Sequence, residues 1–141
     1  METTRVDARV LVIVDVPALR RFAVGALELR GCATIGVETL VEALEVAAVS
    51  APDVLVVEER VMRAAPETFR AMRKSDALRN TRIVALGFLK SRRELIEMGA
   101  DCVVGKPFTD RELVVGVEWV LGVYPGAAEL DPSRVREPRS S

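Results

Sequence analysis

The sequence predicts an α/β fold: a doubly wound, five-stranded parallel sheet in the order 2-1-3-4-5, with helices on both faces. Short runs with apolar interiors recur at residues 10–14 (VLVIV), 54–57 (VLVV) and 82–86 (RIVAL). Runs without polar alternation belong to strands buried on both faces. Segments with helical spacing separate them, so that strand and helix alternate five times within 141 residues, room for one domain. Doubly buried strands need a helix layer on each side, and right-handed crossovers then wind the chain both ways.

The elements follow in order. Residues 1–8 carry Glu2, Arg5 and Asp7 and no apolar stretch of signal-peptide type, and are expected to be an N-terminal extension. The first strand, 10–14, stops at Asp15, and Pro17 suits the first turn of a helix. Leu19, Phe22, Ala23, Ala26 and Leu27 then form one apolar face up to Gly31. Residues 32–37 read as the second strand and 39–50 as a helix with Leu40, Leu44 and Ala47 on its stripe. Pro52 and Asp53 introduce the third strand, 54–57, ended by Glu58. Helix 66–74, strand 82–86, helix 91–98 and strand 102–104 follow, and Thr109 caps a final helix over 110–121. From 123 the chain turns rich in Pro, Ser, Ala and Arg without apolar period, which predicts a disordered tail over 123–141 behind a domain over 9–122. For five strands the flavodoxin-like order is expected, with its ligand crevice at the carboxyl ends of strands 1 and 3.

Composition excludes several classes. There is no histidine, hence no His general base, phosphohistidine donor or His-bearing metal site. A net charge of -1 argues against nucleic-acid binding by bulk electrostatics. The two cysteines, Cys32 and Cys102, fall on strands at opposite edges of the expected sheet, about 19 Å apart where a disulfide needs about 7 Å. With no apolar run near the roughly 20 residues of a membrane helix, the protein is expected to be cytoplasmic, without membrane contact. The segment after strand 1 (DVPAL) lacks the Gly-rich loop of a nucleotide site.

Asp15, Glu58 and Lys106 each follow a strand whose end the fold brings to one crevice. Two carboxylates facing a lysine make a site for a hard cation or a phosphoryl group. With residues 10–21 (VLVIVDVPALRR), 52–57 (PDVLVV), 97–101 (EMGAD) and 105–108 (GKPF), the chain resembles the receiver domain of bacterial response regulators over residues 9–121. The resemblance implies a two-component phosphorelay module in which a strand-3 aspartate accepts phosphate. Two acidic residues after strand 1 help to hold Mg²⁺, a Thr or Ser after strand 4 and the strand-5 lysine contact the phosphoryl oxygens, and a strand-5 aromatic switches rotamer.

This sequence departs at most of those positions. The acidic pair aligns with Val14 and Asp15, the nucleophile with Glu58, the hydroxyl with Gly87 and the switch aromatic with Val103; Lys106 is retained. Glu58 places its oxygens a methylene further out, and misplacement by about 1 Å can cost about 100-fold. Mg²⁺ demands near-ideal octahedral ligation. The expectation is therefore a degenerate pseudo-receiver with no catalytic residue, Mg²⁺ binding lost or very weak, and function through phosphorylation-independent protein–protein contact. Glu58 has three readings: a salt bridge to Lys106 that closes the crevice, a permanent charge mimicking the active state, or a residual phosphoacceptor in a working phosphorelay.

Partner contact is expected through helix 91–98, strand 102–104 and the final helix, for a signalling protein or a homodimer. There Val115 and Trp119 lie i, i+4 opposite the core stripe of Leu113, Val117, Val120 and Leu121. The other reading folds Trp119 back along the domain, beneath Tyr124. Residues 38–59 hold six acidic side chains and no basic one, and 60–82 hold seven basic ones; these read as solvated helix faces or as a polar docking surface.

Overall fold

A computed structural model describes residues 5–123. Apart from Val123, the expected tail lies outside the described residues. Five parallel strands pair in the order 2-1-3-4-5: β1 (Arg9–Ile13), β2 (Ala33–Val37), β3 (Val54–Glu58), β4 (Arg82–Gly87) and β5 (Cys102–Gly105). The helices are α1 (Pro17–Glu28), α2 (Leu40–Val49), α3 (Glu59–Ala64), α4 (Pro66–Lys74), α5 (Arg92–Glu97) and α6 (Asp110–Leu121), with 3₁₀ turns at Asp76–Leu78 and Leu89–Ser91.

The period-2 alternation of the strands divides the core into two layers. Val10, Val12, Val54, Val56, Val84, Cys102 and Val104 face α1 and α6. Leu11, Ile13, Leu55, Val57, Ile83, Ala85 and Val103 face α2 to α5. Val6 and Ala8, placed by the sequence in an extension, are buried with the first layer, and the Val6 N–H bonds the Arg30 carbonyl at 2.7 Å.

The structure corrects several boundaries. A helix not expected from the sequence, α3, leaves β3 without a loop. The Glu58 side chain caps it by accepting from the Arg60 N–H, and Ala65 breaks it from α4 because Pro66 excludes helical geometry at the residue before it. β4 runs on to Gly87, β2 starts at Ala33, α1 ends at Glu28, and the helix expected over 91–98 contracts to α5 behind a 3₁₀ turn. Thr39 and Thr109 each close a capping box with the glutamate three residues on, which sets the starts of α2 and α6. No described helix is long and apolar enough to cross a membrane.

Candidate functional site

The carboxyl ends of β1, β3, β4 and β5 open on the same side of the sheet, the crevice side of this topology. Glu58 ends β3 and is almost wholly buried, at 1% exposure. Its Oε2 lies 2.6 Å from Lys106 Nζ, delivered by the end of β5, and its Oε1 accepts from the Arg60 N–H at 3.0 Å. Both oxygens are therefore engaged by donors. Across the crevice Asp15 has Oδ2 3.3 Å from the Arg60 guanidinium, while its Oδ1 is buried without a hydrogen-bond partner.

Glu59, which the sequence did not single out, is buried next to Glu58 at the start of α3. Its Oε1 accepts from the Phe88 N–H at 3.1 Å and its Oε2 from Arg63 Nε at 2.6 Å, and Arg63 forks onto both carboxylate oxygens of Glu94 at 2.9 Å. This chain of contacts ties α3 to the end of β4 and to α5. Burial pushes the Glu59 carboxyl up, but the Arg63 hydrogen bond, the Phe88 N–H, Ser91 and the Arg63 charge outweigh it and hold the group below its ordinary value. A Cβ built on Gly87 would stand 2.5 Å from Glu59 Oε1 and 2.9 Å from Leu95 Cδ1. The glutamate thus fills the volume that a side chain at position 87 would take. Two sequence signals bear on it: a glycine at the end of β4, and the i, i+4 pair of Glu59 and Arg63.

Of the predicted trio, Glu58 and Lys106 meet directly, while Asp15 pairs with Arg60, and a Cβ at Gly87 would meet Glu59. Val14 and Val103 do not reach the crevice. Val14 is fully buried in the layer under α1, and Val103 in the opposite layer. The aromatic side chain at the mouth is Phe88, half exposed, with Lys106 Nζ 5.5 Å from its ring centroid. Val115 is half buried on α6, and the half-buried Trp119 packs against the first core layer, folded back along the domain.

Three donors, the Arg60 and Phe88 N–H groups and the Lys106 ammonium, sit at the ends of β3, β4 and β5. Such an array is an oxyanion cradle, and here the carboxylates of Glu58 and Glu59 occupy it. For a divalent cation the crevice offers one carboxylate oxygen without a partner, Asp15 Oδ1, and Arg60 already sets a positive charge against the same carboxylate. Among the described residues no group of three or more Cys, Asp or Glu side chains gathers to hold a metal ion. Several of the basic residues of 60–82 are paired within the fold: Arg60 with Asp15, Arg63 with Glu59 and Glu94, Arg73 with Asp101, Arg79 with Asp76.

No protein-family model matches the chain, and no curated protein matches it. Solved structures do. The chemotaxis response regulator CheY4 of Vibrio cholerae superposes with a TM-score of 0.73 at 23% identity, over 82% of this chain and 99% of that one. The receiver domain of a sensor histidine kinase of Pseudomonas aeruginosa PAO1, solved with a magnesium ion in its active site cleft, gives 0.71 at 20% identity, over 83% and 99%. The signal receiver domain of a histidine kinase from Syntrophus aciditrophicus gives 0.68 at 22% identity, over 95% and 96%. The chain has the fold of these response-regulator receiver domains.

Proposed function

We propose that this protein is an atypical receiver module of two-component signalling that acts by protein–protein contact without accepting phosphate. The observation that carries this reading is the pairing of Lys106 Nζ with Glu58 Oε2 at 2.6 Å, beside a Glu59 that occupies the space at Gly87. The lysine that would contact a phosphoryl group is already paired with an internal carboxylate, and the hydroxyl-bearing side chain has no room. A charge built into β3 leaves no labile group whose gain or loss could switch the domain, so recognition rests on a surface that is always presented. The partner in this reading is a signalling protein docking on α5, β5 and α6, with Ile96 exposed on α5 and Phe88 exposed just after β4.

The residues of the crevice do not fit Mg²⁺. That ion wants octahedral oxygen ligation, and here one of the family's two acidic residues is a buried valine while Arg60 sits on the other. A phosphoaccepting receiver with residual Mg²⁺-dependent chemistry is the second reading, and the unpartnered Oδ1 of Asp15 is the observation in its favour.

One experiment decides between them. The protein is incubated with acetyl phosphate, or with beryllofluoride, in millimolar Mg²⁺, and followed by intact mass and by amide NMR. The expected result is an unchanged mass and no saturable shift at Asp15, Glu58, Phe88 or Lys106. A phosphoryl adduct, or a saturable Mg²⁺ response well below millimolar, overturns the proposal in favour of the second reading.

A further inference from the structure

Helix α1 carries a face that its own domain leaves uncovered. Gly25 lies in the last turn of α1, three residues before its end, and a Cβ built there meets nothing within 4 Å. Glycine inside a helix costs roughly 1 kcal/mol of stability relative to alanine, and no contact among the described residues requires it. On one side of Gly25 stand Phe22, 43% exposed, and Leu29, 82% exposed. Helical spacing predicts Phe22 on the core stripe; in the structure its ring leans on Phe108, with centroids 6.0 Å apart, and it stays partly exposed. On the other side of Gly25 stand Arg21 and Glu28, both exposed, with no ion-pair partner among the described residues. Asp110 of α6 borders this shallow groove.

We propose that α1 packs antiparallel against α1 of a second copy of this chain, across a dyad at Gly25. At about 100° per residue, Phe22 and Leu29 lie about 60° and 40° to one side of Gly25, and Arg21 and Glu28 about 40° and 60° to the other. A dyad that makes two facing helices antiparallel brings like edges together and reverses their direction. Arg21, about 6 Å before Gly25 along the axis, then meets Glu28 of the second copy, about 4.5 Å beyond it, and Phe22 meets Leu29 in the same way. Each edge complements itself: opposite charges on one, apolar groups on the other. A parallel pairing would set the charged edge on the apolar one. This self-complementarity selects a second copy as occupant, because an isologous contact requires it and a foreign partner does not. The missing Cβ at Gly25 lets the backbones approach at the crossing. One helix pair makes a small interface, so the dimer is transient. The inference is independent of the crevice.

The test uses the full chain in sedimentation velocity across a wide concentration range. Mass should rise reversibly with concentration. R21E and E28R should each weaken association about tenfold or more, since each sets two like-charged pairs across the dyad. The R21E/E28R double variant restores opposite charges and should recover it. Gly25→Leu should abolish association with an unchanged circular dichroism spectrum. A monomer at every concentration overturns the proposal, as does a double variant no better than the single ones. A monomer whose α1 resonances shift when residues 124–141 are removed puts the chain's own C-terminal segment on this face and overturns it too.

Discussion

Glu59 reaches across from α3 to satisfy the Phe88 N–H at the end of β4, and Gly87 is the size it is because that carboxylate needs the room. Gly87→Thr should therefore destabilise the fold by about 1–3 kcal/mol, the range for overpacking a filled site. Glu59→Ala vacates the volume but leaves the Phe88 N–H unpaired. The Glu59→Ala/Gly87→Thr double variant should lose less stability than the two single changes summed, a coupling read from urea midpoints. The same carboxylate dictates a pH dependence. Its pKa in the fold lies below the ordinary 4.5, as does that of Glu94, lowered by its hydrogen bonds from Arg63. Their contribution to stability is complete above about 4.5 and is lost as pH falls through the lowered folded values. Arg63→Gln should flatten that acid limb. Glu118 runs the other way: burial raises its carboxyl above 4.5, and the Arg30 guanidinium at 3.0 Å offsets this only in part. Its ionisation therefore costs stability that sets in as pH rises through about 4.5 and is complete above the raised folded value. Glu118→Gln, which keeps an acceptor for Arg30, should raise the urea midpoint at pH 7, and the gain should vanish below about pH 4.

At the scale of the element, two helical glycines should respond with opposite sign. Gly116 sits where α6 crosses the sheet, and a Cβ there would stand 2.7 Å from Val104 Cγ2. Gly116→Ala must push α6 away from β5 and should cost about 1–3 kcal/mol. Gly25→Ala meets open space and should stabilise by about 0.5–1 kcal/mol in dilute protein, through helix propensity alone. Thermal melts of both variants check the pair. Helix α3 gives the same lesson about local rules. Six residues are too few to be stable alone; the Glu58 cap starts this helix, buried Met62 anchors it and Arg63 ties it to α5.

At the largest scale, the described residues form a sheet held between two apolar layers, one under α1 and α6, the other under α2 to α5. β1, β3, β4 and β5 contribute alternate residues to both, so neither layer can come apart without exposing the back of the other. Unfolding should be a single cooperative transition. Trp119 packs against the first layer and Phe69 is fully buried in the second, which makes the claim testable. Phe69→Ala should cost about 3–5 kcal/mol, and should lower the midpoint read by Trp119 fluorescence as much as that read by far-ultraviolet circular dichroism. A fluorescence midpoint that stays behind would show that the layers unfold separately.

The sequence by itself determined the strands, their order and the meeting of Glu58 and Lys106, because apolar runs, a βα alternation and the residue ending each strand are local facts that topology converts into neighbours. It also exposed Val14, Gly87 and Val103 as departures from the receiver pattern. Only the tertiary structure decided what fills the gaps they leave. Glu59 meets Phe88 29 positions later in the chain, Phe22 turns out to solvent beside Phe108, and Trp119 turns in. Helical period assigns a residue to a face, but burial depends on what the rest of the fold sets opposite that face. For Phe22 and Trp119 that was decided by how α1 and α6 pack on each other and on the sheet, which no stretch of either helix encodes alone.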